Sequence, residues 1–155
     1  MSASLEVEVL TWPDGSLVDV ESIRANTDAA QRIAETDPED RTIRTPDWAL
    51  GELARVSHHA ARMVVVIAHA EELKRAAATR LARAKANARL EFKGLPAAQQ
   101  TARIVLAVVT EQDDYDVTVT AFEYARRIGN LLSDYTGRVQ SMAKLVAVTY
   151  QQGGA

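Results

Sequence analysis

The chain has 155 residues, is 47% hydrophobic and 25% charged, and carries a formal net charge of −3 with no cysteine. That length supports one domain with a single core, and the lack of cysteine excludes disulfides, thiolate catalysis and Cys-ligated metals. Aromatics at 5% favour slim Ala- and Val-rich helix contacts over an aromatic-walled ligand pocket.

No apolar run approaches the roughly 18 residues that a membrane helix needs; the best stretch, residues 63–68, is far shorter. Residues 1–9 lack the basic start and apolar core of a signal peptide. A soluble, cytoplasmic protein without a membrane partner is therefore expected. Charge is unevenly spread: residues 1–47 hold eleven acids against four bases, so the remainder is net basic. Such asymmetry suggests an acidic arm on a basic body.

In chain order, Leu5, Val7 and Val9 alternate with glutamates, which suits a short strand. Pro13-Asp14-Gly15 is turn chemistry, and Leu17, Val18 and Val20 can return as a second strand of a hairpin. Asp19 or Ser22 alternatively caps a short helix reaching Ile33. Residues 36–45, TDPEDRTIRT, read as a linker. The division drawn from this is an acidic N-terminal arm, residues 1–45, and a helical body, residues 46–155.

Thr45-Pro46-Asp47 opens the first long helix: Thr as N-cap, Pro at the first helical position, Asp on the positive end of the dipole. Leu53, Val56, Ala60, Met63, Ile67 and Ala70 recur in steps of three and four. The seam shifts and resumes at Leu73, Ala77, Leu81, Ala84 and Ala88. No Gly or Pro occurs between Gly51 and Gly94, so one helix of about 45 residues is predicted. Gly94-Leu95-Pro96 stops it. A shorter helix runs from Pro96 to near Val109, residues 111–114 make a polar turn, and the last helix spans Asp114 to Tyr150. Gly129 and Gly137 lie within it. The expected fold is all-α: an elongated helical bundle of long helix, short helix and long helix, with a short irregular or hairpin-containing N-terminal arm.

Catalytic and metal constellations fail on geometry. His58 and His59 are neighbours in a helix and point about 100° apart, and His69 is three turns away. Asp113, Asp114 and Asp116 lack the Gly and Glu of a calcium loop, and no Gly-rich phosphate loop or nucleophile elbow occurs. The reading is a non-enzyme without cofactor or metal.

Residues 74–93, KRAAATRLARAKANARLEFK, carry seven bases against one acid. Lys74, Arg75, Arg80, Arg83, Lys85, Arg89 and Lys93 are the candidate nucleic-acid contacts, since cations on one helix face can track phosphates by releasing counterions. On an ideal helix Lys74, Lys85, Arg89 and Lys93 share one side, Arg75 borders it, and Arg80 and Arg83 lie across. Phe92 is the one aromatic nearby for base stacking. In the last helix, Ile128, Leu132, Tyr135, Val139, Met142 and Val146 form an apolar stripe assigned to homo-oligomerisation, with Val64, Val65, Val66 and Leu145 as further apolar surplus.

The run ARAKANARLEFKGLPAAQQTARIVL, followed by a turn and a long helix ending LVAVTY, resembles phage recombination mediator proteins of the UvsY type. The resemblance covers residues 48–150 and rests on layout: a basic helical stretch, a Gly-containing break, a short helix, then a long C-terminal helix. It implies single-stranded DNA binding, ring-like oligomerisation, and loading of a recombinase onto strands coated with single-strand-binding protein. The family's basic run maps onto Arg83, Lys85, Arg89 and Lys93. Residues 1–45 have no counterpart in it, and the overall negative charge departs from it. Two other classes stay open: a structural or assembly protein, such as a virion or tail-assembly component, and a protein-directed inhibitor whose acidic arm mimics DNA.

Overall fold

The computed structural model describes residues 9–35 and 44–153. Among them the chain forms four helices, α1 (Val20–Ala34), α2 (Pro46–Glu91), α3 (Ala97–Ala107) and α4 (Val109–Gln152). The fold is an all-α helical bundle in which long helix, short helix and long helix follow one another, with α1 placed in front. The strand expected at residues 5–10 and the linker expected at 36–45 lie largely outside the described residues.

The described segment before α1 is a tight hairpin turn with an antiparallel bridge, Thr11 to Leu17. The Trp12 N–H donates to the Ser16 carbonyl (2.8 Å) and the Val18 N–H to the Leu10 carbonyl (2.9 Å). Gly15, at φ 83°, takes the left-handed position that a side chain would strain. A bare hairpin is marginal in water; this one is anchored because Trp12 is buried, donates its indole N–H to Ser22 Oγ (3.0 Å), and meets the His69 ring edge-on at 5.1 Å. Asp19 then caps α1: its Oδ1 accepts the Ser22 N–H (2.7 Å) while Ser22 Oγ accepts the Asp19 N–H (3.0 Å). This is a reciprocal capping box with Ser in the place usually held by Glu or Gln.

Thr45 caps α2, its Oγ1 accepting the Trp48 N–H at 3.1 Å. The helix then runs 46 residues without a break, close to the length expected. Gly94 at φ 107° supplies the left-handed stop. The polar turn expected at residues 111–114 is corrected: those residues are helical, and the chain bends at Val108 instead. Val108 has φ −116°, ψ 16°, and its N–H reaches back to the Val105 carbonyl at 3.4 Å. The bend falls there because Val108 is buried with Leu81 and Ala88, with Phe92, Ile104 and Tyr115 packed around them. The acids at 111–114 suit the positive N-terminal end of α4, so their density marks a helix start as well as it marks a turn.

The chain packs as two compact units, Met1–Ile23 with His69–Phe122, and Arg24–Ala68 with Glu123–Ala155. This grouping does not follow the sequence division at residue 45, because α1, α2 and α4 each contribute to both units. In the first unit the core is Trp12, Val18, Ile23, Ala77 and Leu81 with the cluster around Val108. In the second, Thr27, Ala30 and Ala34 of α1 are buried together with Val56, Met63 and Val66 of α2 and Ala125, Ile128, Leu132, Tyr135 and Val139 of α4. Burying each Val, Leu or Ile side chain contributes about 1.5–3 kcal/mol.

Candidate nucleic-acid interface

The seven basic residues of α2 and its C-terminal turn, all in the first unit, separate into three kinds. Lys74 and Lys85 are turned toward the protein. The Lys74 ammonium sits 3.7 Å above the Phe122 ring, a cation–π contact. Lys85 Nζ donates to Gln112 Oε1 (3.3 Å), whose Nε2 donates to Asp116 Oδ1 (3.0 Å). Both lysines border the seam: Lys85 lies four residues past buried Leu81, and Lys74 three before buried Ala77, spacings that share a helix face.

Arg75 pairs with a carboxylate, and Arg80 shares a recess with two. Arg75 Nη2 donates to Glu71 Oε1 at 2.6 Å in an exposed i,i+4 pair, an interaction worth about 0.3–0.5 kcal/mol that salt screens. Arg80 lines a recess of about 290 Å³ together with Asp19 and Asp114. The remaining three, Arg83, Arg89 and Lys93, are exposed, and among the described residues no carboxylate stands within ion-pair distance of them. Leu90, between them in sequence, is 72% exposed. Phe92 is half-buried against the Val108 cluster, so its ring is committed to packing.

The six residues assigned to oligomerisation are placed in the second unit. Ile128, Leu132, Tyr135, Val139 and Val146 are buried within the single chain, and Met142 is half-buried. They form the α4 side of the unit's own core. Val66 is buried as well, whereas Val64, Val65 and Leu145 stay exposed.

The displaced pKa values of the second unit belong to structural ties. The Tyr135 hydroxyl donates to Glu52 Oε1 (2.6 Å) and Arg55 grips the same carboxylate. The Arg55 hydrogen bond holds Glu52 below the usual carboxylate range, and the Glu52 bond raises Arg55. Burial pushes the Tyr135 phenol up to about 12. The Tyr124 hydroxyl donates to Asp28 Oδ1 (2.6 Å) and meets Gln31, tying α4 to α1; burial pushes it up to about 12 as well. His59, edge-on to His58, is lowered chiefly by burial. Among the described residues no three His, Asp or Glu side chains gather as a metal ligand set, and no helix is long and apolar enough to cross a membrane.

The fold and this surface define an all-α protein with a small, outward-facing cationic patch at the end of a long helix. No protein-family model, curated protein or solved structure matches the chain.

Proposed function

We propose that the protein binds single-stranded DNA without catalysing a reaction, and that it acts as a recombination mediator that helps load a recombinase onto strands held by single-strand-binding protein. The observation that supports DNA binding is the trio Arg83, Arg89 and Lys93, three exposed cations without a described carboxylate beside them, in a chain that is acidic overall. Leaving such charges unpaired suits a polyanion, whose counterions are released when each phosphate is neutralised. The mediator role rests on the resemblance in layout between residues 48–150 and the UvsY type.

The test is a fluorescence-anisotropy titration with labelled single-stranded DNA, and with a duplex of equal length, across a salt series. Changing Arg83, Arg89 and Lys93 together to Ala reduces the magnitude of the salt slope by about 2 per protomer, three contacts at about 0.7 each. Lys74→Ala and Lys85→Ala leave the slope unchanged, because those side chains are already engaged. A slope indifferent to the triple variant overturns the assignment.

A structural or assembly role is the second reading. The observation that favours it is the exposed apolar set Leu90, Val105, Leu106 and Val109 in the first unit. Absence of DNA binding together with a mass that grows with concentration would select it.

A further inference from the structure

We propose that α3 is an interface helix, packing antiparallel against the α3 of a second copy of this chain across a twofold axis near Ala102.

The first reason is that α3 is held on one side only. It has 11 residues, none of them buried, and isolated helices shorter than about 12–15 residues are marginal in water. Ile104 is its main inward contact, against the Val108 cluster. Its other face is apolar too. Ala98, Ala102, Val105 and Leu106 follow steps of four, three and one, the stripe of a helix that covers a second surface. Val105 is 59% and Leu106 69% exposed, and Ala98 and Ala102 are exposed. The alanines at one end and the larger side chains at the other are complementary when the helix meets its own copy reversed.

The second reason is charge. Lys93 precedes α3, and Glu111, Asp113 and Asp114 follow it. Among the described residues none of these four forms an ion pair. Antiparallel pairing sets the basic start of one copy beside the acidic end of the other, twice by symmetry; parallel pairing would set like charges together. A surface that carries both signs at opposite ends of an apolar stripe is self-complementary, as a twofold contact requires.

The absence of cysteine makes the test direct. In sedimentation at micromolar concentration the wild-type mass exceeds the 16.9 kDa of one chain by at least about twofold, as a twofold pair demands. Val105→Asp with Leu106→Asp halves that mass or returns it to one chain, with helical circular dichroism unchanged because both side chains are exposed in the protomer. Ala102→Cys forms a disulfide-linked dimer under mild oxidation, whereas Ala86→Cys on the outward face of α2 does not. Lys93→Glu weakens self-association about five- to tenfold, the size of two exposed ion pairs, and Glu111→Lys added to it restores association. A wild-type protein at 16.9 kDa, a double aspartate variant of wild-type mass, or equal cross-linking at Ala86→Cys overturns the proposal. No nucleic acid enters these assays, so their failure leaves DNA binding standing, and failure of DNA binding leaves this interface standing; Lys93 is shared, so where the pair forms the phosphate contacts are Arg83 and Arg89 and the slope lost in the triple variant is about 1.4.

Discussion

Tyr135 is the one aromatic side chain in the apolar seam of α4, and its hydroxyl is the polar point in an otherwise oily contact. It is 1% exposed and donates to Glu52, a residue 83 positions earlier. Two opposite pH effects follow from that pair. The phenol, raised from 10.0 to about 12, prefers its neutral form in the fold, so its stabilisation is complete below pH 10 and is lost as pH climbs toward 12. Glu52 is lowered from 4.5 by the Arg55 hydrogen bond, so its contribution is present above pH 4.5 and fades as the carboxyl protonates in acid. Tyr135→Phe is expected to cost about 1–3 kcal/mol at neutral pH by stranding part of the Glu52 carboxylate. It should also flatten the loss of stability between pH 10 and 12, leaving the share that Tyr124 contributes in the same window. Urea unfolding across pH checks both, and an alkaline limb unchanged by the substitution would contradict this account. The position of Tyr135 in a buried seam was legible from spacing alone. Its partner was not, because nothing local links residues 52 and 135.

At the scale of the element, periodicity served well where helices are long and poorly where chain direction changes. The start of α2 was readable from Thr45-Pro46-Asp47 and its end from Gly94, since capping and left-handed glycine are local chemistry. The break between α3 and α4 was not: it is fixed by burial of Val108 against Leu81 and Ala88, a tertiary cause, while the nearby Asp and Glu residues mimic a turn. The basic stripe is divided for a related reason. Ideal helix angles group Lys74 and Lys85 with Arg89, but the shifted seam turns that edge toward Phe122 and Gln112. The two glycines of α4 also differ in a way that spacing does not show. A Cβ at Gly129 would stand 2.8 Å from Ile67 Cδ1, whereas one at Gly137 meets nothing within 4 Å. Both glycines border a groove of about 560 Å³ lined also by Met63, Ile67, Ser133 and Gln140. Gly137→Ala should therefore stabilise the protein by about 1 kcal/mol through helix propensity alone. Gly129→Ala should gain less, because the Ile67 methyl has to swing toward the groove. Thermal melts of the two single variants decide it; equal shifts would mean that Ile67 moves without cost.

For the whole molecule, the excess of acids through residue 47 suggests an arm that either competes with DNA for the basic stripe or recruits a partner, and the packing argues against competition by the described part. Asp14 closes the turn before α1, Asp19 caps that helix, Asp28 accepts from Tyr124 and Asp47 lies in the first turn of α2. These carboxylates are engaged in holding structure, and no described acid pairs with Arg83, Arg89 or Lys93. The hairpin and α1 contribute core: Trp12 and Val18 are buried in the first unit, and Ala30 and Ala34 in the second. Trp12→Ala should then cost about 3–5 kcal/mol, the range for emptying a buried aromatic site, with its indole bond to Ser22 lost as well. A freely attached arm would lose almost nothing from the same change. Urea unfolding separates the two, with a shift under about 0.5 kcal/mol, typical of surface sites, standing against the packed arrangement. In buffer where Trp12→Ala remains folded, its salt slope for single-stranded DNA should equal that of wild type, since the cations that would meet phosphate sit at the far end of α2. A variant that instead bound DNA more tightly at low salt would show that the hairpin screens the cationic patch, and would restore autoinhibition as the better account of the charge asymmetry.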